Sequence, residues 1–301
     1  MRLREWLADA QLDGLRHLPA PLRRHLLYLA RQRRWADLRH PTTFSEKINW
    51  RMLHDRRPLI GYACDKLWVK ELAAGLGLAT PETIWSGLNV RELLSLDLPE
   101  CWVLKPNHRS GAIYFGRGQP STADDLDRIT GRWLAQNPEL SKGEWGYSQA
   151  RRTLLVEPLL GDGPQPPVDY KLFVFHQRPA LLQIDSDRFS GHRRRLYTSD
   201  FRPLKTRLEF PLGPVDQPPD TWPEMVDAAR RLAHGFDFVR VDLYNVNGAV
   251  YVGELAVYPG GGLERFVPRR LDIQLGSLWS LPTAAEMAGH QQAGAGRAGP
   301  R

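Results

Sequence analysis

Two carboxylates in the last third of the chain are spaced to act together. Asp242 lies in the run VRVDLY and Glu254 in YVGEL. Asn247-Gly248 falls between them, five residues after the first acid and six before the second. Asn-Gly between two β-rich runs is a strong short-range hairpin signal, so the two acids are near cross-strand neighbours. Each stands in an apolar run, where an uncompensated carboxylate is costly. A hard divalent cation shared with phosphate oxygens compensates both. On this pattern, pairing one acid with Arg240 and the other with a surface arginine does so equally well. A second feature is Lys105, which closes the apolar run WVLK just before PNHRSG. A strand-end ammonium followed by a loop with Ser110 and Gly111 suits phosphate. A third is Glu157 in LLVEPLL. Its apolar surroundings suit the flat face and amino edge of a base, and suit an ordinary exposed strand end as well.

Other catalytic arrangements are missing from the sequence. No G-x-x-x-x-G-K-[ST] occurs, and no G-x-G-x-x-G opens a helix after a strand. There is no G-x-S-x-G elbow, no H-E-x-x-H and no Cys/His zinc spacing. No aromatic RNA-binding signature is present, so no nucleic-acid partner is expected. His192 precedes three arginines and reads as part of a basic loop.

The elements that must position these residues follow from periodicity and punctuation. Residues 1–40 read as basic helix, with Leu22, Leu26, Leu27 and Leu29 among arginines such as Arg23 and Arg24. Such a face is solvated or touches an acidic partner or membrane surface. Pro41-Thr42-Thr43 ends it, and Thr43 or Ser45 caps the next helix, FSEKINWRMLHD. DKLWVKELAAGLGLATPETIW predicts a helix, a Gly-Pro turn and a strand start. CWVLKPNHRSGAIYFGRG predicts strand, loop, strand. Residues 121–150 read as helical, capped by Ser121 and Thr122. RRTLLVEPLL is a strand, GDGPQPP a loop, and DYKLFVF and RPALLQID a hairpin. PPDTWPEMVDAARRLAHGF is a Pro-initiated helix ending near Gly235. The tail TAAEMAGHQQAGAGRAGPR is small and polar and is expected to be disordered. Helices mixed with antiparallel hairpins predict an α+β protein of more than one layer.

Composition agrees with a folded enzyme-sized chain. It has 301 residues, 42% hydrophobic and 25% charged, which excludes wholesale disorder and collagen-like repeats. No apolar stretch approaches the roughly 20 residues of a membrane span, and the first residues carry no signal-like apolar region. The formal charge is +7, from 41 basic and 34 acidic residues. That balance, including HRRR at 192–195 and PRR at 268–270, suits an anionic partner. Cys64 and Cys101 are too few for a disulfide framework and are expected as reduced thiols of a cytoplasmic protein.

Six segments in order, DKLWVK, VLKPN with its glycine loop, VEPLL, DYK, RVDLY and GEL, resemble the ATP-grasp superfamily. Within it the chain is similar to the TupA-like group linked to teichuronopeptide and cell-surface polysaccharide. The resemblance runs from about Phe44 to Gly276. It implies a nucleotide clamped between two α+β subdomains behind an N-terminal helical region. The implied divisions are 1–60 for the basic helical region, 61–155 and 156–281 for the subdomains, and 282–301 for the tail.

The resemblance also implies roles. Lys105 and Lys70 contact the nucleotide, and Asn107, Ser110 and Gly111 belong to the loop over the phosphates. Glu157 and the backbone through Leu160 form the adenine hinge. Asp169 reaches the ribose, with Asp162 as the competing choice. Lys171 points toward the phosphates. Asp242 and Glu254 hold Mg²⁺, and Arg240 holds the transferred phosphoryl group. Ala256 departs from the pattern, since many relatives carry a third metal ligand, Asn, there. The implied activity is ATP- and Mg²⁺-dependent ligation of a glycan or small-molecule carboxylate, such as a uronic acid, to an amine through an acyl phosphate. An ATP-grasp kinase and a glycosyltransferase of surface polysaccharide are the alternatives.

Overall fold

The computed structural model describes residues 17–135, 142–161, 163, 165–186, 191–283, 286 and 287. The N-terminal part is helical: α1 (Ala20–Gln32), α2 (Phe44–His54), α3 (Pro58–Ala63) and α4 (Lys66–Gly75). α1 is shorter than the expected 1–40. It follows Pro19 and stops at Arg33, whose φ of 56° turns the chain out of the helix well before Pro41; residues 1–16 lie outside the described set. Thr43 rather than Ser45 caps α2. It accepts from the Glu46 N–H while Glu46 reaches back, a capping box. Ser45 instead donates to Asp272 at 3.0 Å. Asp65 caps α4 by accepting from the Trp68 N–H.

The first sheet is antiparallel, with order β1-β4-β2-β3, built from β1 (Trp85–Gly87), β2 (Cys101–Pro106), β3 (Tyr114–Arg117) and β4 (Leu154–Pro158). The implied division at 155/156 therefore runs through β4. α5 (Asp124–Ala135) starts after Ala123, so Ser121 and Thr122 lie too early to cap it. Asp124, Asp125 and Asp127 instead match the positive helix end. Of the expected 121–150 helix, 124–135 and residue 142 are helical among the described residues. A single 3₁₀ segment spans Trp145–Gln149, and 136–141 lie outside the described residues.

The second sheet has order β10-β9-β5-β6-β7, all neighbours antiparallel. Its strands are β5 (Asp169–Phe175), β6 (Arg178–Ser186), β7 (Arg193–Thr198), β9 (Phe238–Val246) and β10 (Ala249–Ala256). β8 (Arg207–Leu208) and β11 (Phe266–Val267) form a separate ribbon. α6 (Trp222–Leu232) packs on β5, β6 and β9, and α7 (Arg270–Ser277) follows β11. The largest apolar core surrounds this sheet, and a smaller one lies in the first. The expected basic loop at 192–195 is strand from Arg193 onward, because it pairs with β6. Arg194 is buried against Asp185 and Glu264, and Arg195 donates to the Gly213 carbonyl. Most of HRRR is thus spent within the protein.

Candidate active site

The β9–β10 ribbon turns at Asn247 and Gly248, both at positive φ (51° and 76°), as a tight primed turn requires. From the turn the ladder runs regularly until Val252 faces Leu243. Continued unbroken, it would set Gly253 opposite Asp242 and turn Glu254 to the other face. A bulge between Val252 and Glu254 absorbs one residue, and Glu254 pairs directly with Asp242. A Cβ at Gly253 would stand 2.9 Å from the Tyr244 ring and 3.1 Å from the Asp242 carbonyl oxygen. Glycine is what lets the bulge sit there.

Lys171 on β5 pairs directly with Asp242, so one sheet face carries Lys171, Asp242 and Glu254 in a row. Arg240 joins them. It donates to Asp242 through Nε at 2.7 Å and Nη2 at 2.6 Å, and to Glu254 at 3.3 Å. Lys171 donates to Asp242 at 3.0 Å and also to Asp169. Burial disfavours the Asp242 carboxylate, but Arg240 and Lys171 outweigh it and hold its pKa below the usual range. Glu254 lies at the rim, its side chain 39% exposed against 2% for Asp242. Two carboxylates on one face fit Mg²⁺, which takes oxygen ligands and commonly uses one or two carboxylates plus substrate phosphates. Ala256 faces Arg240 and offers no oxygen from its side chain. Among the described residues no third acid, imidazole or thiolate converges with the pair.

A second charged group forms on the first sheet. Glu157 is buried between Lys70 of α4 and Lys105 of β2, at 2.6 and 2.5 Å. Burial raises the cost of its charge, yet the two ammonium groups keep its pKa below normal. The carboxylate expected to meet a base edge is thus held by the two lysines expected to meet the nucleotide. Leu160 is half-buried just beyond β4. Asp162 lies outside the described residues. Asn107 is fully buried and acts as a staple: its side chain accepts from the Leu67 N–H at 2.9 Å and donates to the Arg151 carbonyl at 2.8 Å. Ser110 and Gly111 are exposed, with Gly111 at φ 72°. The Ser110 side chain meets the Tyr147 hydroxyl.

Lys66 is a residue that the motif reading missed. Its Nζ donates to three carbonyls at the base of the glycine loop, those of Pro106, Asn107 and Arg109, at 3.0, 3.2 and 2.5 Å. It also lies within electrostatic reach of Glu254 on one side and of Lys105 and Glu157 on the other. The two charged groups therefore share one neighbourhood. The i, i+4 spacing of Lys66 and Lys70 carries the signal, since it sets both on one helix face.

Comparison with known proteins identifies the family of the chain and several similar structures. The family model described as TupA-like ATPgrasp matches residues 46–280, and the chain belongs to that family. No curated protein matches it. Among solved structures, it is similar to a D-alanine–D-alanine ligase from Bacillus anthracis complexed with ATP, at 15% identity and TM-score 0.44, covering 77% of this chain and 66% of that one. A D-alanine–D-alanine ligase from Helicobacter pylori gives 16% identity and TM-score 0.42 over 73% and 59%. An L-amino acid ligase from Bacillus licheniformis gives 13% and 0.41 over 66% and 41%. The chain thus spans less than two thirds of the length of each of these three proteins.

Proposed function

We propose that the protein is an ATP-dependent carboxylate–amine ligase acting through an acyl phosphate. The observation that carries this is the bulged ribbon, which sets Asp242 and Glu254 side by side on the face that also holds Arg240 and Lys171. In this proposal Asp242 and Glu254 hold Mg²⁺, whose chemistry is to neutralise charge on the triphosphate. Lys70, Lys105, Glu157 and the backbone to Leu160 hold the nucleotide, and Asp169 its ribose. Ser110 and Gly111 cover the phosphates and keep water from an acyl phosphate that would otherwise hydrolyse.

The chemistry needs no covalent nucleophile from the protein. A substrate carboxylate oxygen attacks the γ-phosphorus, the bond to the ADP oxygen breaks, and an acyl phosphate forms. An amine nitrogen then attacks the acyl carbon, phosphate departs, and the ammonium proton is lost to solvent. Arg240 and Lys171 exchange carboxylate for phosphoryl oxygens and hold that charge in place. The proposed carboxylate is a uronic acid of surface polysaccharide or a related metabolite, and the proposed site of reaction is the cytoplasm. No helix among the described residues is long and apolar enough to cross a membrane. Exposed Leu22, Leu29 and Trp35 beside arginines of α1 support peripheral contact with an anionic membrane.

The test is a screen of uronic acids against amino acids, reading ADP and product mass. ADP release must depend on Mg²⁺ and rise with the carboxylate well above the slow release into water, and the product must be an amide. A phosphorylated hydroxyl would instead indicate a kinase, and consumption of a nucleotide sugar a glycosyltransferase.

A further inference from the structure

The family match begins at residue 46, after α1, yet one side chain of α1 reaches the loop behind the metal strand. Arg24 is completely buried. Its Nε and Nη2 donate to Asn49 Oδ1 at 2.8 and 2.5 Å, its Nη1 to the Lys142 carbonyl at 2.8 Å, and its Nη2 to the Gly261 carbonyl at 2.5 Å. Asn49 of α2, equally buried, donates to the Gly262 carbonyl at 3.0 Å. The two side chains thus hold consecutive carbonyls of a run, Gly260, Gly261 and Gly262, whose φ values are all positive, 56° to 64°. A Cβ at Gly262 would lie 2.6 Å from Asn49 Nδ2 and 2.9 Å from Ile48, so the close approach is built into the sequence.

What Arg24 grips lies on both sides of the site. The glycine run follows β10, which carries Glu254. The Lys142 carbonyl opens the segment whose Tyr147 meets Ser110 of the phosphate loop and lies within electrostatic reach of Glu254. A buried guanidinium is expensive to desolvate, and an aliphatic side chain would seat α1 at lower cost. Only a fork of donors fixes an amide and two distant backbone positions at once. Burial pushes the pKa of Arg24 down to about 10, with Glu144 working against that shift, so the fork stays charged at neutral pH.

We propose that Arg24 is a positioning residue of the active site and that α1 is one of its walls: through Arg24 and Asn49 it sets the Gly260 to Gly262 turn and the 142–147 segment against the end of the metal strand. The proposal rests on the ligase reading for what the site does, but not for the positioning itself. The test compares wild type with Arg24→Lys, which keeps the charge and loses the fork. A second variant, Asn49→Asp, keeps the acceptor for Arg24 and loses the donor to Gly262. Amide exchange is followed in the free protein, and Mg²⁺·ATP alone is the probe for binding and for slow ADP release into water. Exchange across 258–263 is expected to rise about tenfold in both variants, selectively. ADP release should fall about tenfold in kcat, and Mg²⁺·ATP affinity should hold within about twofold. Unchanged exchange at 258–263, or a uniform rise at all amides, overturns the proposal. A wild type that neither binds Mg²⁺·ATP nor releases ADP defeats the ligase reading, while the exchange data still decide the role of Arg24.

Discussion

Strand β9 serves two buried ion networks, one at its entrance and one at its middle. At the entrance Asp237 accepts from Arg51 and Arg57, both at 2.7 Å, and from the Trp279 indole at 2.6 Å. Asp55 completes the set by pairing with Arg57 at 2.6 Å. Arg51 also donates to two backbone carbonyls and lies 4.4 Å from the Trp279 ring. Every side chain in these pairs is at most 9% exposed. At the middle Asp242 is as buried, and of its two partners Lys171 is 6% exposed, while Arg240, at 12%, leads outward to Glu254 at 39%. The Lys70–Glu157–Lys105 group has the same character, with its lysines 15% and 18% exposed. Burial of charge alone therefore does not mark a site. The mark is a buried charge whose partners a ligand can reach and replace.

Substitution should separate the two networks. Asp242→Asn is expected to lower ADP release per folded molecule about 10³-fold, beyond whatever stability is lost when Arg240 and Lys171 are left short of a charge. Equal turnover in that variant would remove the metal assignment. The bulge offers a sharper cut on the same ribbon. Gly253→Val sets a branched Cβ against Tyr244 and favours the regular ladder, which turns Glu254 away, so activity should fall on the order of 10²-fold. Deleting Gly253 lets Glu254 take its place opposite Asp242 without a bulge, and activity should stay within about tenfold. If the deletion proves the more damaging of the two, the register argument fails.

The entrance network should answer in stability instead. Asp237→Asn leaves two buried guanidinium groups short of a charge and should cost roughly 3–5 kcal/mol in denaturant unfolding, with turnover per folded molecule nearly unchanged. Its pH dependence has a definite sign. Burial raises the Asp237 pKa, but Arg51 and Arg57 prevail and hold it at about 2. That lies below the usual Asp value of about 3.9. The contribution is therefore present above about pH 4 and lost as pH falls toward 2. The stability gap between wild type and Asp237→Asn should narrow over that range. A gap that stays constant from pH 7 to pH 3 contradicts the charge-pair account.

The comparison also explains what could be read before folding. The hairpin was legible because Asn-Gly and its flanking β-branched residues are local signals. The convergence of Asp242 and Glu254 was legible only to within one residue, because counting from a turn does not say which glycine bulges. Lys70, Lys105 and Glu157 were each recognisable by type. That the lysines would grip the glutamate depends on α4, β2 and β4 meeting in space, which no local window contains. Arg24 was read as part of a basic face, since its partners are backbone carbonyls that leave no trace in residue type. Arg194 misled in the same way: three consecutive arginines suggest solvent, and only the pairing of β6 with β7 delivers one of them to Asp185. Family likeness supplied the order of the motifs, and the structure supplied their partners.

Lys66 stands between the two kinds of network and gives the smallest and most specific effect. Its burial pushes the pKa down to about 8, with the charge of Glu254 working against that shift. The folded pKa thus lies below the usual lysine value of about 10.4. Between those values the unfolded chain binds more protons, so rising pH favours the folded state. The same rise takes one of three N–H donors from a group serving three carbonyls of the loop base. Going from pH 7 to pH 9 should therefore raise the unfolding free energy while loosening the loop. Exchange at residues 107–111, corrected for intrinsic base catalysis, should rise about fivefold, the worth of one hydrogen bond. Lys66→Arg, which keeps its charge across this range, should abolish both trends. If loop protection in the wild type is the same at both pH values, Lys66 belongs with the sealed network at the entrance of β9 and not with the exchangeable one.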